Sequence, residues 1–460
     1  MRFTRRRAVQ MLAAAPVAGL AVRGGGAVAF QDASPAASPA ASPVASPAVS
    51  PVASLMASPV ALNYMGSLNW YQFGYTPGGG TVASRLADEA VAAFQQTYPG
   101  VTVNIVGVPF EGGQQTLDTA LAAGGNDAPD VFRIASDRLI KYVDEGLAAA
   151  IDPYMSEADQ ADIYPNVLAG VEVEGQHYAW PLWVPPVGVY LNPEIFAEKG
   201  VELPGDDWTF DQFRQAAQQL TFQRADGTQV FGFASAIQPD IINVWAFLYA
   251  DGGRVLTEDG SEYTFDSPEA VSGLQKLTDL ALTDKVTPPE FGNQMLADIV
   301  AAFKDQRSLA MYLGASGDIG TYRAENVPFE VRPMPIGATG EHVTVGGLGT
   351  FAVRQQDDAD RLAAAMAFAR FLTSPEAAAA VPGYFLAPPA RRSIPIAEDN
   401  RAMQKFGEMV AFTQLMPQTP VWGQVSSAVN AQIQGAVTGA VSPQEALELA
   451  GQEIEPLLAG

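Results

Sequence analysis

The chain of 460 residues contains no cysteine and only two histidines, His177 and His342. The first absence removes disulfides, thiolate metal sites, cysteine nucleophiles and iron–sulfur clusters, and with them a lipid-modified N-terminal cysteine as anchor. The second leaves little imidazole for acid–base work or metal ligation. No HExxH, P-loop or G-x-S-x-G pattern occurs, so metalloprotease, NTPase and α/β-hydrolase readings lose their usual handles. Carboxylates are many but scattered and no EF-hand loop is present, so no metal and no cofactor is expected. Gly346-Gly347-Leu348-Gly349 lacks the spacing of a dinucleotide fingerprint and suits a hinge or a close approach of backbone to ligand. Basic residues are scarce as well: 26 lysines and arginines stand against 50 aspartates and glutamates, a net charge of −24.

Five of those arginines lie before Ala29, with no acid among them, so the remainder carries 21 basic and 50 acidic residues, or −29. Such a field repels nucleic acid and anionic membrane surfaces. It favours sugars or cations over polyanions as ligands. The arginines belong to Thr4-Arg5-Arg6-Arg7-Ala8-Val9-Gln10, followed by small and apolar residues to Val22 and by Ala27-Val28-Ala29, a small-x-small cleavage pattern. Residues 1–29 read as an export signal, and the consecutive arginines point to the twin-arginine route. A membrane-spanning helix needs about 20 apolar residues, and this run is shorter and holds Pro16 and Gly19. Residues 30–61 form an Ala/Ser/Pro tract in which serine recurs every fourth residue from Ser34 to Ser58. Proline removes backbone donors and the small side chains cannot build a core, so this tract is expected to be a disordered tether. It would reach on the order of 80 Å at about 3.1 Å per residue.

From Leu62 onward strand and helix patterns alternate. Leu68–Phe73 and Val101–Val108 read as strands, and Pro129-Asp130-Val131-Phe132 opens a third. Ala83–Thr97, Gln114–Ala123 and Arg138–Gly146 read as helices. This order predicts an α/β lobe with a largely parallel sheet. Tyr178–Asn192, with three prolines and two tryptophans, reads as the chain crossing between lobes. Trp208–Leu220 is a helix capped by Thr209. Ile241–Ala250, Pro268–Thr283, Met295–Lys304, Asp358–Leu372 and most of the chain beyond Thr419 are also helical. Val343–Val353 is a glycine-rich strand pair or a second crossing. About 400 residues exceed what one core organises, so two domains are expected.

Aromatics near loops and crossings are the remaining chemical signal, because an aromatic face stacks on the C–H face of a sugar ring while polar groups take its hydroxyls. Trp70, beside a strand, and Trp208, at a helix start, are expected in the core.

Several segments, in order, resemble the extracellular solute-binding proteins of ABC importers, specifically the family that includes maltose- and other sugar-binding proteins. They are Phe94–Val103, Ala128–Phe132 with Asp144-Glu145-Gly146-Leu147, Gly175–Asn192 with Phe196 and Gly200, Trp208–Phe213, Phe303–Met311, Gly346-Gly347, Ala365–Leu372 and Gly439–Leu447. The resemblance implies a type II periplasmic-binding-protein fold: two α/β lobes, each a mostly parallel sheet with flanking helices, joined by a multi-strand hinge. The N-lobe would take 62–181 and about 351–395, and the C-lobe about 186–345 and 396–460. It further implies an exported, non-enzymatic monomer on the periplasmic or extracellular face. That monomer closes on a small-molecule carbohydrate and delivers it to the permease subunits.

The residue-level implications follow the matched segments. Ser136-Asp137-Arg138 is similar to a segment that holds sugar hydroxyls in maltose-binding relatives, with Ile134 where those relatives have a stacking tryptophan. Trp422 resembles the stacking tryptophan of the C-lobe, and Gly314-Ala315-Ser316-Gly317 occupies the place of another and has none. Trp183, Trp245, Tyr71 and Gly347 are further candidate contacts. The same fold could instead take a polyamine, a peptide or a phosphorylated polyol, for which Arg391-Arg392 would supply an anion site. A secreted carbohydrate-active hydrolase and a stalked adhesion or sensory module are the readings from other classes.

Overall fold

The computed structural model describes residues 61–109, 112–239 and 241–459, all within one compact unit. The signal over 1–29 and, except for Ala61, the tether over 30–61 lie outside the described residues. Among the described residues fourteen strands follow one another as β1 (Gly66–Phe73), β2 (Val101–Val108), β3 (Val131–Ala135), β4 (Glu172–Val173), β5 (Gln176–His177), β6 (Ala179–Trp183), β7 (Gly188–Leu191), β8 (Phe222–Gln223), β9 (Gln229–Ala234), β10 (Leu309–Gly314), β11 (Glu330–Arg332), β12 (Thr344–Gly346), β13 (Gly349–Val353) and β14 (Thr413–Leu415). Ten of them build two five-stranded sheets, ordered β2-β1-β3-β13-β6 and β11-β7-β10-β9-β8, and β12-β14 and β4-β5 form two-stranded ones.

In the first sheet β1 pairs in parallel with β2 and β3, and β13 lies antiparallel between β3 and β6. The strand that breaks the parallel order returns from the other lobe and so enters from the opposite end. The helix Val82–Thr97 covers one face of this sheet. Thr81 caps it by accepting from the Ser84 N–H, and Leu86, Ala90 and Phe94 repeat at the helical period on its buried side. The second sheet pairs β10 in parallel with β9 and antiparallel with β7. Against it packs the helix Phe210–Gln219, whose capping box is formed by Thr209 and Gln212. Trp70 and Trp208 are both buried, as expected. The helix expected over Ile241–Ala250 is only Trp245–Ala250 in the structure. No described helix is long and apolar enough to cross a membrane.

The apolar clusters divide the molecule into lobes. One set draws on residues from Leu68 to Val184 and from Leu348 to Ala390, and the other on Val187 to Val345 and Met403 to Ile454. The chain changes core between Val184 and Val187, between Val345 and Leu348, and again after Ala390. A further excursion is not legible in the sequence pattern. Met409 and Met416 pack in the C-lobe, whereas Val410 and Leu415 between them pack on the N-lobe. Asn166 of the N-lobe grips this excursion, its Nδ2 donating to the carbonyls of Val410 and Thr413 at 2.9 Å each. β12 and β14 run parallel there as a two-stranded hinge sheet, and Pro186 bridges to Gly346.

Two buried carboxylates hold the N-lobe together. Asp130 is taken up below. Asp159 accepts from Arg370 Nε at 2.9 Å and from its own cap Ser156, and lies 2.9 Å from Arg391 Nη2. Burial pushes its carboxyl up, but the Arg370 bond, the Arg391 charge and the Ser156 bond outweigh that and hold it below the ordinary carboxylate range. A depressed folded-state value stabilises the fold above the unfolded value of about 4 and stops doing so as pH falls through the folded one. Melting temperature is therefore expected to fall on acidification below about pH 4. In Asp159→Asn, melting temperature at pH 7 should be lower and that acid limb shallower, as calorimetry from pH 7 to 3 would show.

Candidate functional site at the interlobe strand ends

In α/β sheets ligands bind beyond the carboxyl ends of the strands, where backbone amides and loop side chains converge. In the N-lobe these ends are Phe73, Ala135 and Trp183, and the register Ala135–Gly349–Trp183 sets the last two on either side of the start of β13. Ser136 donates its N–H to Leu348 O at 3.1 Å, which ties the loop after β3 to the second crossing. Gly347 stands exposed between buried Gly346 and Leu348. Glycine is required at Gly349, where a Cβ would lie 2.5 Å from Trp183 Nε1: the indole rests directly on the backbone. In the C-lobe, Gly314 at the carboxyl end of β10 pairs with Gly188, three residues past the first prolyl crossing residue Pro185. Tyr190 donates its hydroxyl to Ala315 O at 2.7 Å and so fixes the loop that follows. The strand ends of the two lobes thus meet across the crossings.

Ser136, Asp137 and Arg138 form one 3₁₀ turn at this meeting point, Ser136 buried and the other two partly exposed. Arg138 is held loosely, its Nη1 donating to Gln114 Oε1 at 3.4 Å. Behind it the polar contacts are tighter. Tyr142 and Lys141 donate to the two oxygens of Asp118 at 2.6 and 2.7 Å, Gln114 donates to Asp118 at 3.1 Å, and Gln114 also bonds Tyr142. Burial raises the Asp118 carboxyl, and the bonds from Lys141, Tyr142 and Gln114 bring it below its ordinary value. The turn is therefore presented by a charged, fully bonded base. Trp183 is partly exposed, and the Arg133 guanidinium lies over its ring, 4.7 Å from the centroid.

An interlobe space of about 790 Å³ is lined by Asn166, Gly170 and Glu172 of the N-lobe, by Tyr249, Arg254 and Asp259 of the C-lobe and by the hinge strand β14. None of the eight residues singled out from the sequence lines it. Among the described residues no group of three histidine, aspartate or glutamate side chains is arranged to hold a metal.

The model of the family described as bacterial extracellular solute-binding protein matches residues 79–379, about two thirds of the chain. The chain belongs to that family. A binding protein of Brucella abortus (strain 2308) is 27% identical over 265 residues, 56% of this chain and 62% of the relative, so the match spans less than two thirds of that protein. The maltotriose-binding protein of Pyrococcus abyssi is 23% identical over 327 residues, 69% of this chain and 68% of the relative. Among solved structures, the cyclic α-maltosyl-1,6-maltose binding protein of Arthrobacter globiformis superposes with a TM-score of 0.73 at 21% identity, covering 85% of this chain and 98% of that one. An ABC substrate-binding protein of Listeria monocytogenes in complex with cycloalternan gives 0.70 at 22%, covering 86% and 100%. The fold is the two-lobed type II architecture of these proteins.

For a solute-binding protein, the structure sorts the candidate residues unevenly. Ser136, Asp137, Arg138, Trp183 and Gly347 come together at the strand ends. Tyr71 does not: its hydroxyl donates to Asp127 O at 3.1 Å, in the loop at the amino end of β3, and it packs beside the helix-covered N-lobe core. Trp245 is wholly buried and gives its Nε1–H to Asn430 Oδ1 at 2.8 Å. Trp422, 5% exposed, opens the helix Trp422–Val437 and meets Trp245 edge-on at 5.8 Å. Both indoles fill the C-lobe core. Arg391, 3% exposed, is committed to Asp159 and Asp162 and offers no anion site. One residue beside Trp183 escaped notice, Arg133. The available signal was a charge inside an apolar strand, Val131-Phe132-Arg133-Ile134-Ala135.

Proposed function

We propose that this chain is the extracytoplasmic binding component of an ABC importer, taking a sugar or oligosaccharide between its lobes and presenting the closed form to the permease subunits. The observation that carries the reading is the pair of separately cored lobes whose strand ends meet at a hinge of several crossings. Such an architecture couples binding to bending, since a ligand touching both lobes favours the closed arrangement by the contacts it makes only there. Relatives of the family bind carbohydrate by name, maltotriose in Pyrococcus abyssi and arabinooligosaccharide in Halalkalibacterium halodurans. Ser136, Asp137 and Arg138 would hold hydroxyls, Asp137 as acceptor and Arg138 as donor, with Trp183 as a stacking wall and the Gly347 backbone as a close approach. The lobes would divide as 62–181 with about 351–395, and about 186–345 with 396–460. The ligand would leave chemically unchanged. Export would use the arginine-rich leader, with attachment to the membrane by a route other than a lipidated cysteine.

A thermal-shift screen of the purified protein against mono- and oligosaccharides, polyamines and small peptides tests this. Ligand at a hundredfold excess over Kd should raise stability by about 2.7 kcal/mol. A shift with one sugar class, that sugar recovered intact and a smaller radius of gyration in its presence are the expected results. A shift only with a polyamine or peptide would leave the fold and overturn the ligand, and conversion of the sugar would overturn the binding-protein reading.

A further inference from the structure

The two lobes repeat one arrangement. In the N-lobe the run β1-β3-β13 is parallel and then antiparallel, and in the C-lobe β9-β10-β7 runs in the same senses. The end of β3 pairs with the start of β13, Ala135 with Gly349, and the end of β10 with the start of β7, Gly314 with Gly188. In both cases the second strand has just crossed from the other lobe. Each first strand then delivers a 3₁₀ turn that opens on serine, Ser136–Arg138 and Ser316–Asp318. A six-residue helix follows each turn, Leu139–Asp144 and Ile319–Ala324, with a buried tyrosine at its fourth position, Tyr142 and Tyr322. Under this correspondence Arg138 of the N-lobe matches Asp318 of the C-lobe, at the strand ends that meet across the crossings.

Asp318 is set apart from the acids of the interior. Asp130, Asp159, Asp251 and Asp284 each have a cation, from Arg361, Arg370, Lys276 and Arg214 in turn. Asp318 is partly exposed and accepts from the Tyr312 hydroxyl at 3.0 Å, and no lysine or arginine among the described residues offsets its charge. It precedes the helix Ile319–Ala324 without accepting a backbone N–H there. Burial pushes its carboxyl up against the pull of the Tyr312 bond. The other carboxylates displaced among the described residues, Asp118 and Asp159 with them, all move down. Tyr312 is itself fixed, stacked on Tyr190 at 4.7 Å and bonded to the Tyr322 hydroxyl at 2.9 Å. A carboxylate accepts about four hydrogen bonds, so one hydroxyl leaves most of that capacity unused. Beside it Gly317 is exposed, with open space where a Cβ would stand.

We propose that Asp318 is the C-lobe contact of the ligand and receives an ammonium group, so that the carbohydrate taken up is an amino sugar or a short oligosaccharide containing one. The proposal rests on the carbohydrate reading above and narrows it. The turn Ser136–Arg138 meets the ligand from one lobe and the turn Ser316–Asp318 from the other. The ammonium donates to the carboxylate, which the Tyr322–Tyr312 hydroxyl chain holds in place. A part-buried charge without a countercharge is costly, and a cation that arrives with the ligand removes that cost. A neutral hydroxyl at the same place supplies a donor and no charge. The acidic surface adds a long-range attraction for such a ligand.

Calorimetric titration of the purified protein with matched sugars tests this: glucosamine with glucose, galactosamine with galactose, and chitosan disaccharide with cellobiose. The N-acetylated forms keep the nitrogen and lose its charge, and maltotriose serves as a further neutral probe. In at least one set the amine should bind about tenfold or more tightly than the neutral and N-acetylated sugars, which is about 1.4 kcal/mol. Asp318→Asn should bring the amine to within about threefold of its neutral counterpart while changing neutral-sugar affinity by less than about threefold. Should Asp318→Asn not fold, Asp318→Ser, which keeps an acceptor for the Tyr312 hydroxyl, carries the test with the same expected result. Binding of neutral sugars with no gain for any amine overturns the assignment and leaves the carbohydrate reading intact. An amine preference that survives both variants also overturns it, as does an equal loss of amine and neutral sugar in the variants. No binding by any of these sugars, maltotriose included, overturns both.

Discussion

Asp130→Ala is expected to destabilise the protein by about 3–5 kcal/mol, the usual result of removing one side of a buried ion pair. Asp130 is completely buried at the entry to β3 and its oxygens are fully used. Arg361 Nε and Nη2 each donate at 2.8 Å, one to each oxygen. The Asn69 N–H donates at 2.8 Å and Gln356 Nε2 at 3.3 Å, and Arg354 lies at 3.9 Å. The carboxylate so joins β1, β3, the end of β13 and the helix Ala359–Leu372, and the last two reach it only after the chain has crossed into the other lobe and back. Truncation strands the Arg361 guanidinium, whose side chain is 13% exposed. The loss measured by urea unfolding should be much smaller in the double variant Asp130→Leu/Arg361→Met, since apolar replacement of both partners of a buried pair is often near neutral. A single variant within about 1 kcal/mol of wild type would contradict the assignment.

Trp245→Ala should cost about 3–5 kcal/mol, through the cavity left by a wholly buried indole. Phe265 at 5.3 Å and Trp422 at 5.8 Å would each lose a ring partner, and Asn430 Oδ1 its donor. Trp245→Phe retains most of the packing and loses the N–H, so it should cost about 1–3 kcal/mol, the penalty of an unsatisfied buried acceptor. The readout that separates core from ligand contact is affinity. Titrated at a temperature where it is folded, Trp245→Phe should bind ligand within about threefold of wild type, under 1 kcal/mol in binding energy. A loss of binding out of proportion to the stability change would return this indole to the site.

Local structure was largely legible in the sequence because it is decided locally. The strand Val101–Val108 is found with its expected limits, and Thr209 with Gln212 caps the helix that its pattern announces. Asp358 caps the helix Ala359–Leu372 one residue from the expected start. Each depends on neighbours within a turn or a strand's length. Ile241–Ala250 shows the limit of this. Its apolar residues read as one helix, but Asn430 Nδ2 and Gln434 Nε2 take the Gln238, Ile241 and Ile237 carbonyls, and regular helix begins only at Trp245.

The site was legible in part. Ser136, Asp137, Arg138, Trp183 and Gly347 follow a strand end or lie in a crossing, and chain order alone places such residues near the cleft. Whether an aromatic faces ligand or core is another matter, since both demand the same apolar surface. Trp422 and Trp245 were expected at the ligand and pack in the C-lobe interior against each other and Phe265. Arg133 shows the converse, a charge whose meaning appears only when β6 and β13 bring Trp183 alongside it.

By itself, then, the sequence determined the alternation of strand and helix, the absence of thiol chemistry, the acidic surface and the segments that mark the family. Periodicity, composition and capping are properties of neighbouring residues. Tertiary structure alone decided which core each crossing segment joins and which carboxylate holds which arginine. Those outcomes depend on contacts between residues hundreds of positions apart, such as Asp130 with Arg361 and Asn166 with Thr413.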